Sequence, residues 1–501
     1  MLPLPSQDIV TCPDYSSAKH MAPDTGADQG SAMNHGKGTE QRVVILGAGP
    51  TGLGAALRLQ ELGLRNVHIY DMGDRVGGLA TSFVDPQGFT WDIGGHVQFS
   101  HYRYFDELME RALPGQWLTH ERESWVWMDQ RFVPYPFQNN LRYLSPEQRW
   151  KCLRGLVRLY KEPFTGKPAN FGEWIDATFG AGLAEVFMIP YNFKVWAFPA
   201  TEMSYDWIGE RVAVTDLERV LDNVLHDKDD LSWGPNHTFR FPKRGGTGAI
   251  WEEVANIVGR ERISLHKKVV RVDVKAKAVH FEDGLSVEYD TLFSTMPIDQ
   301  LVALAGLDEL TSHAAKLKYS SSNIIGIGLS GQPPEQVKGK CWMYFPESDC
   351  PFYRVTLFSH YSPANVPDPS RQWSLMAEVS ESTHKAVDPE LIIEQTIAGL
   401  KATRLMTEEH QVLSRWQYRA HYGYPTPALG RDAALRALHA GLEPHGIFSR
   451  GRFGGWKYEV SNQDHSLMQG VEWANKLVSG IPEVTYWFPN TANNLEYAKS
   501  R

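Results

Sequence analysis

The segment GGHVQFSHYRYF, residues 94–105, gathers two glycines, two histidines and four aromatic rings. Histidines in such company act as metal ligands, as an acid–base pair, or as part of the wall of a pocket for something flat. No HxH or HExxH pattern and no third ligand of suitable type stands nearby in the sequence, so His96 and His101 do not read as a metal pair and no metal is expected.

A second group of residues bears on phosphate. Gly47, Gly49 and Gly52, with Pro50 and Thr51 between them, form G-x-G-x-x-G directly after the apolar run Val43–Leu46 and at the start of a helical pattern. Asp71 ends the next strand-like run, NVHIYD, roughly twenty residues on. Glycines at this spacing let backbone amides approach a pyrophosphate, the helix N-terminus adds partial positive charge, and the acid can bind a ribose hydroxyl. The following GDRVGGLATS, with Arg75, Gly77, Gly78 and Leu79, favours FAD over NAD, because glutathione-reductase-like flavoproteins often continue with R-x-G-G. FPKRGGTGAIW and RGRFGG…NQDHS are later glycine-rich loops suited to closing on a long cofactor.

These residues need a scaffold, and the 501-residue length suits two or three compact units or one large discontinuous one. The expected fold is α/β: a discontinuous, Rossmann-like FAD-binding domain from 41–118, 233–300 and 445–501, preceded by a disordered tail at 1–40. Segments such as SPEQRWKCLRGLVRLYKEP and TDLERVLDNVLHD carry helical spacing, so 119–232 is expected to be a helical insert with mobile loops near 195–235. Alternating runs such as SSNIIGIGLSG and WSLMAEVSES place a mostly antiparallel sheet domain at 301–444. Sixteen Trp, 20 Tyr and 22 Phe imply a thick core and also the lining that planar cofactors and sugars require.

A net charge of −9 speaks against a general nucleic-acid binder. Cys12, Cys152, Cys341 and Cys350 form no CxxC or zinc spacing, no apolar run reaches the ~18 residues of a membrane span, and the start lacks a secretion signal. A reducing, cytoplasmic setting is expected.

Taken in order from about 43 to 475, GGHVQFSHYRYF, VPYPFQNN, PYNFKVWA, GERVA, WGPN, FRFPKRGGTG, CWMYFPESDCPFYR, GYPTP and RGRFGGWKYEVSNQDHS resemble the UDP-galactopyranose mutases, the eukaryotic (fungal-type) branch most closely. The resemblance implies an isomerase that interconverts UDP-galactopyranose and UDP-galactofuranose on FAD, with no net redox change. By the same resemblance, reduced flavin N5 would attack the anomeric carbon and expel UDP, and NADPH or NADH would supply the electrons. It implies that Gly95 and His96 lie against the flavin, His96 in a catalytic role, with His101 a structural neighbour. Arg211 and Arg354 would hold the diphosphate as catalytic residues, with Tyr361, Tyr424 and Tyr458 around it. Tyr135, Phe137, Gln138, Phe187, Asn192 and Trp196 would form the uridine pocket, Asn236 and Trp342 would flank the sugar, and Tyr344 would also bind substrate. Arg452, Asn462, Gln463 and Ser466 would touch the flavin or its chain.

Gln98, Ile189 and His360 depart from the family's pattern, which leaves the chemistry intact and the identity of the sugar open. The alternatives are a pyranose–furanose mutase acting on another UDP-sugar, an amine-oxidase- or desaturase-like flavin oxidoreductase, and a silent sugar-nucleotide sensor. Members differ in oligomeric state, so homo-oligomerisation stays open. Arg354→Ala is expected to cost turnover more than folding.

Overall fold

The computed structural model describes residues 41–209, 212, 214–231 and 237–494. The expected tail at 1–40 and the site candidates Arg211 and Asn236 lie outside these described residues.

Val43–Leu46 is buried at every position and forms the middle strand of a five-stranded parallel sheet. The order is Ile447–Ser449, Thr291–Ser294, Val43–Leu46, Val67–Tyr70, Ile263–Ser264. A strand covered on both faces has no polar side, which is why it reads as an unbroken apolar run. The sheet draws on separated stretches of chain, and two helices from opposite ends of the sequence lock it together. Helix Pro50–Glu61 packs on helix Gln463–Ser479, and glycines make the approach close enough for backbones to touch. A Cβ on Gly54 would stand 2.7 Å from the Leu467 carbonyl oxygen, and one on Gly470 would collide with the carbonyl of Thr51. The contact carries residues 462–466 to the glycine turn at 47–52.

The second sheet has seven strands in the order Val412–Thr426, Lys318–Ser330, Gln372–Glu381, Arg354–Leu357, Trp342–Tyr344, Ser124–Met128, Arg131–Pro134. Its pairs are antiparallel except Trp342–Tyr344 beside Ser124–Met128. The last two strands fall inside the range expected for the helical insert. They form a hairpin turning at Asp129 and Gln130, both with positive φ, and so extend the sheet. The remainder of that range supplies helices Pro146–Lys161, Phe171–Leu183, Ile189–Trp196 and Leu217–Leu225, with a π-helical turn at Ala184–Met188. Ser145, Asn170 and Asp216 each cap a helix by accepting a backbone N–H. Conversely, helices Ile298–Ala305 and Arg431–Leu442, largely in the range expected for the sheet domain, pack with Val44, Leu46, Leu292 and Ile447 of the parallel sheet.

The aromatic content concentrates where the helices meet the seven-stranded sheet, in a core that includes Trp91, Phe137, Phe187, Trp196, Trp342 and Tyr361. Among the described residues no helix is long and apolar enough to cross a membrane.

Candidate active site

The glycine turn is braced as a dinucleotide cradle requires. Gly47 has φ +107, and a Cβ on Gly52 would collide with the Gly47 carbonyl oxygen, so the turn admits no side chain there. Gly49 caps helix Pro50–Glu61 with no side chain over its first amides, which are left for an anion. Asp71 accepts from the amides of Ala48 at 2.6 Å and Gly73 at 2.7 Å; its carboxylate holds the turn and retains acceptor capacity for a hydroxyl. The second glycine turn is tied to the first by Gly77 N–H donating to Ala48 O, while Gly78 lies against Gly49 and half-buried Leu79 packs against two of the cores. Beside Arg75 and the start of helix Gly248–Val258 opens a cavity of about 380 Å³ lined by Thr81, Ser82 and Glu252.

The segment that carries His96 passes from this cradle to the seven-stranded sheet. Gly95 leaves no room for a side chain, since a Cβ would lie 2.8 Å from Thr356 Oγ1 and 3.0 Å from Trp342 Nε1. Burial pulls the His96 imidazole down to about 4; Glu378 works against the fall, and Arg452 and Arg354 add to it. His96 is therefore neutral near pH 7. Its Nδ1 is buried without a hydrogen-bond partner, as are Trp342 Nε1, Thr356 Oγ1 and Tyr361 OH. Trp342 Nε1 and Thr356 Oγ1 both stand beside Gly95, and Tyr361 edges onto Trp342, so these groups are gathered where a ligand could meet them.

Two arginines belong to the same place. Arg354 forks onto Glu378, Nε to Oε1 and Nη2 to Oε2, both at 2.8 Å. Burial disfavours its charge most, but Glu378 together with Tyr424, Tyr353 and Tyr344 outweighs that and the net shift is upward. Arg452 has no carboxylate within ion-pair distance among the described residues; it donates to Gly423 O and to the carbonyl and hydroxyl of Ser461. Burial accordingly lowers its pKa. A half-buried guanidinium satisfied only by neutral oxygens is a place where an anionic ligand gains much.

Rings pack around these groups. Phe137 stacks on Phe187 with centroids 4.3 Å apart, Phe187 on Tyr191 at 5.2 Å, and Tyr344 meets both Tyr191 and Tyr135. Burial pushes the Tyr135 phenol up to about 12, so it stays a neutral donor. Gln138 is buried beside Phe137, and Asn192 donates back to Met188 O, which leaves its own carbonyl oxygen for a ligand. Trp196 packs against Trp207, Tyr424 and Tyr458, so it stands with the tyrosines expected around the diphosphate. Arg452 lies 4.9 Å over the Tyr424 ring. Tyr361 edges onto Trp342 and contacts Phe239 and Phe241.

Of the remaining cofactor candidates, Asn462 caps helix Gln463–Ser479 from an exposed position, Gln463 accepts from Trp251 Nε1 at 2.7 Å, and Ser466 donates to Ser461 O. Thr51 is buried beneath Gly451, whose Cβ would crowd its hydroxyl. These donors and the glycine cradle fit a flavin dinucleotide.

Several residues escaped the sequence reading. His101 meets Asp464 at 2.8 Å, and His465 Nδ1 lies 3.2 Å from the other Asp464 oxygen, so two partners absent from its sequence neighbourhood arrive with the distant helix. Their ligand atoms lie within 4.8 Å of one another. Burial would raise the Asp464 carboxyl, yet the two histidines hold it far below the carboxylate range. Arg122 lies 4.8 Å over Trp342, and Glu378 was legible only as the acid inside the apolar stretch LMAEV, a pattern that demands a buried partner. Of the positions that depart from the family pattern, Gln98 pairs with Arg240 through backbone, Ile189 is exposed, and His360 sits 5.2 Å from His120.

Fold and site together define a flavoprotein with a discontinuous dinucleotide-binding domain. The description "Flavin containing amine oxidoreductase" matches residues 50–454. A crystal structure of reduced UDP-galactopyranose mutase superposes with a TM-score of 0.88 at 48% identity, covering 91% of this chain and 99% of that one. A putrescine oxidase shares only the fold, with a TM-score of 0.59 at 16% identity over 88% of this chain and 99% of that one. The zeta-carotene desaturase of Arabidopsis thaliana is 39% identical over 76 residues, which is 15% of this chain and 13% of the desaturase. The chain belongs to the flavin-containing amine oxidoreductase family and, within it, to the UDP-galactopyranose mutases.

Proposed function

We propose that this enzyme interconverts UDP-galactopyranose and UDP-galactofuranose on reduced FAD, without net redox change and with NADPH or NADH as the electron source. The observation that carries the reading is the meeting of Gly95–His96, fork-held Arg354 and half-buried Arg452 with unpartnered Trp342, Thr356 and Tyr361. The Gly47–Gly52 turn, Asp71 and the start of helix Gln463–Ser479 would hold FAD, which when reduced would supply a nucleophile for the anomeric carbon, with UDP as the leaving group. The protein's own contribution is to place the sugar and receive the charge that builds on the leaving diphosphate.

Arg354 Nη1 has no hydrogen-bond partner among the described residues and remains available to phosphate oxygen, with Arg211 as its expected counterpart. Trp342 Nε1–H, Tyr361 OH and the Thr356 hydroxyl are left for hydroxyls or phosphate oxygens. The stack Phe137–Phe187–Tyr191 offers a face to a pyrimidine. Neutral His96 contributes a hydrogen bond without adding charge beside the cofactor. Enclosure by these rings excludes water, which would otherwise intercept the sugar between its two ring forms.

The test is anaerobic turnover of UDP-galactofuranose, with and without dithionite, followed by chromatography. Conversion to UDP-galactopyranose only when the flavin is bleached supports the reading. UDP binding with no conversion, but turnover of an N-acetylated, deoxygenated or pentose UDP-sugar, moves the substrate and keeps the chemistry. Hydrogen peroxide formed from an amine, with no mutase activity, replaces the reading by the oxidoreductase.

A further inference from the structure

Glu378 lies on strand Gln372–Glu381, opposite Arg354 on one side and Ile324 on the other. Its side chain is 2% exposed, so its charge can be met only by protein groups. Four donors meet it. Oε1 accepts from Gly95 N–H at 3.1 Å and Arg354 Nε at 2.8 Å; Oε2 accepts from Tyr353 OH at 2.6 Å and Arg354 Nη2 at 2.8 Å. One carboxylate thus holds both the loop that carries His96 and the arginine expected to face phosphate. The fork occupies Nε and Nη2 and leaves Nη1 over, while the Arg354 side chain keeps 20% exposure. Gly95 cannot swing away with a side chain of its own, because Thr356 and Trp342 fill the space a Cβ would need.

We propose that Glu378 is a positioning residue for the reaction: it sets the separation between the flavin-facing Gly95–His96 loop and the Nη1 group that Arg354 offers to the departing phosphate. The assignment rests on the proposed function. It carries an electrostatic consequence. In the resting enzyme Arg354 meets the diphosphate as half of a neutral pair, so ground-state binding gains little from it. Oriented Nη1 instead meets the charge that grows as the anomeric bond breaks, which is where stabilisation raises turnover. Replacing the carboxylate by an amide does two separable things: it releases Arg354 as an unneutralised cation, and it lets the fork rotate away. Misplacement by about 1 Å can cost on the order of a hundredfold in rate.

The experiment uses the FAD-loaded enzyme as wild type, Glu378→Gln and Glu378→Asp. It measures kcat and KM on UDP-galactofuranose under reduction, UDP affinity by calorimetry, and the flavin reduction potential. For Glu378→Gln the expected result is a kcat lowered at least tenfold, UDP bound as tightly as in wild type or more tightly, and a potential moved positive by loss of a nearby negative charge. Glu378→Asp keeps the charge and the wild-type potential but still loses kcat, because its shorter arm cannot reach both Arg354 and Gly95. A Glu378→Gln enzyme with kcat within twofold of wild type overturns the proposal. So does a fall in kcat matched by an equal loss of UDP affinity, the mark of a merely structural role. If Glu378→Gln does not retain flavin, Glu378→Asp decides, and wild-type kcat there overturns the assignment. Absence of wild-type turnover on UDP-galactofuranose refutes the proposed function instead. UDP affinity and potential then still judge Glu378: weakened UDP with an unmoved potential refutes its role.

Discussion

Replacing Arg354 by alanine tests how far the site is also part of the core. The guanidinium forks onto a carboxylate that is 2% exposed, through two bonds of 2.8 Å. Breaking such a pair by removing one partner typically costs about 3–5 kcal/mol, because the other charge is left buried. Gly95 N–H and Tyr353 OH still meet Glu378 in the variant, so the lower end, about 3 kcal/mol, is expected. At no more than ~2 °C per kcal/mol for a chain of this size, that is a fall in melting temperature of up to about 6 °C. The assay is thermal unfolding at fixed FAD, followed by both flavin fluorescence and circular dichroism. Arg354→Ala/Glu378→Gln should recover roughly half of the loss, since the stranded charge goes and only the cavity and the lost hydrogen bonds remain. Turnover stays low in both, because neither offers Nη1 to phosphate. The partners are not equivalent: 20%-exposed Arg354 can reach water and Glu378 cannot, so Glu378→Gln alone should destabilise less than Arg354→Ala. A single variant that melts within about 1 °C of wild type, or a double variant no better than the single, refutes the reasoning. The sequence by itself predicts that this substitution costs turnover more than folding; the pairing with Glu378 makes it cost both.

Gly52→Ala forces its Cβ into the Gly47 carbonyl, backbone that cannot yield without opening the turn, and should give protein lacking the yellow cofactor; stoichiometric FAD by absorbance would contradict this. His96 carries a pH signature. Its folded pKa, about 4, lies below the unfolded value near 6.5, so its contribution is intact above pH 6.5 and is lost as pH falls through 4. His96→Asn should flatten the stability profile between those values, and an unchanged slope in urea titrations across that window would show that another group is responsible. Arg452→Met removes a half-buried cation that only neutral oxygens meet, so the apoprotein should melt no lower than wild type while affinity for its anionic ligand falls. The loss should be roughly 10- to 100-fold, the worth of one to two charge-assisted hydrogen bonds. Titration of FAD and of UDP into the apoprotein shows which ligand that is, and undiminished affinity for both would refute the reading.

Local sequence determined the parts whose physics is local. Val43–Leu46, the glycine turn and Asp71 are legible together because a buried parallel strand, a tight turn and a helix N-terminus each impose their own residue types within about thirty positions. The caps at Ser145, Asn170 and Asp216 are equally local. Resemblance to a family nominated His96, Arg354 and Arg452, but no spacing says what each one touches. Tertiary structure alone decided that Glu378 grips both Arg354 and Gly95, that Asp464 and His465 come to His101, and that Trp196 stands with Tyr424 and Tyr458. It also gave strands Ser124–Met128 and Arg131–Pro134 to the large sheet, because edge pairing depends on a neighbour, Trp342–Tyr344, far along the chain. The physical reason is common to all of these. A hydrogen bond or an ion pair between distant residues exists only after two sheets and the helices between them have packed, and helical or strand periodicity carries no information about which distant partner that packing delivers.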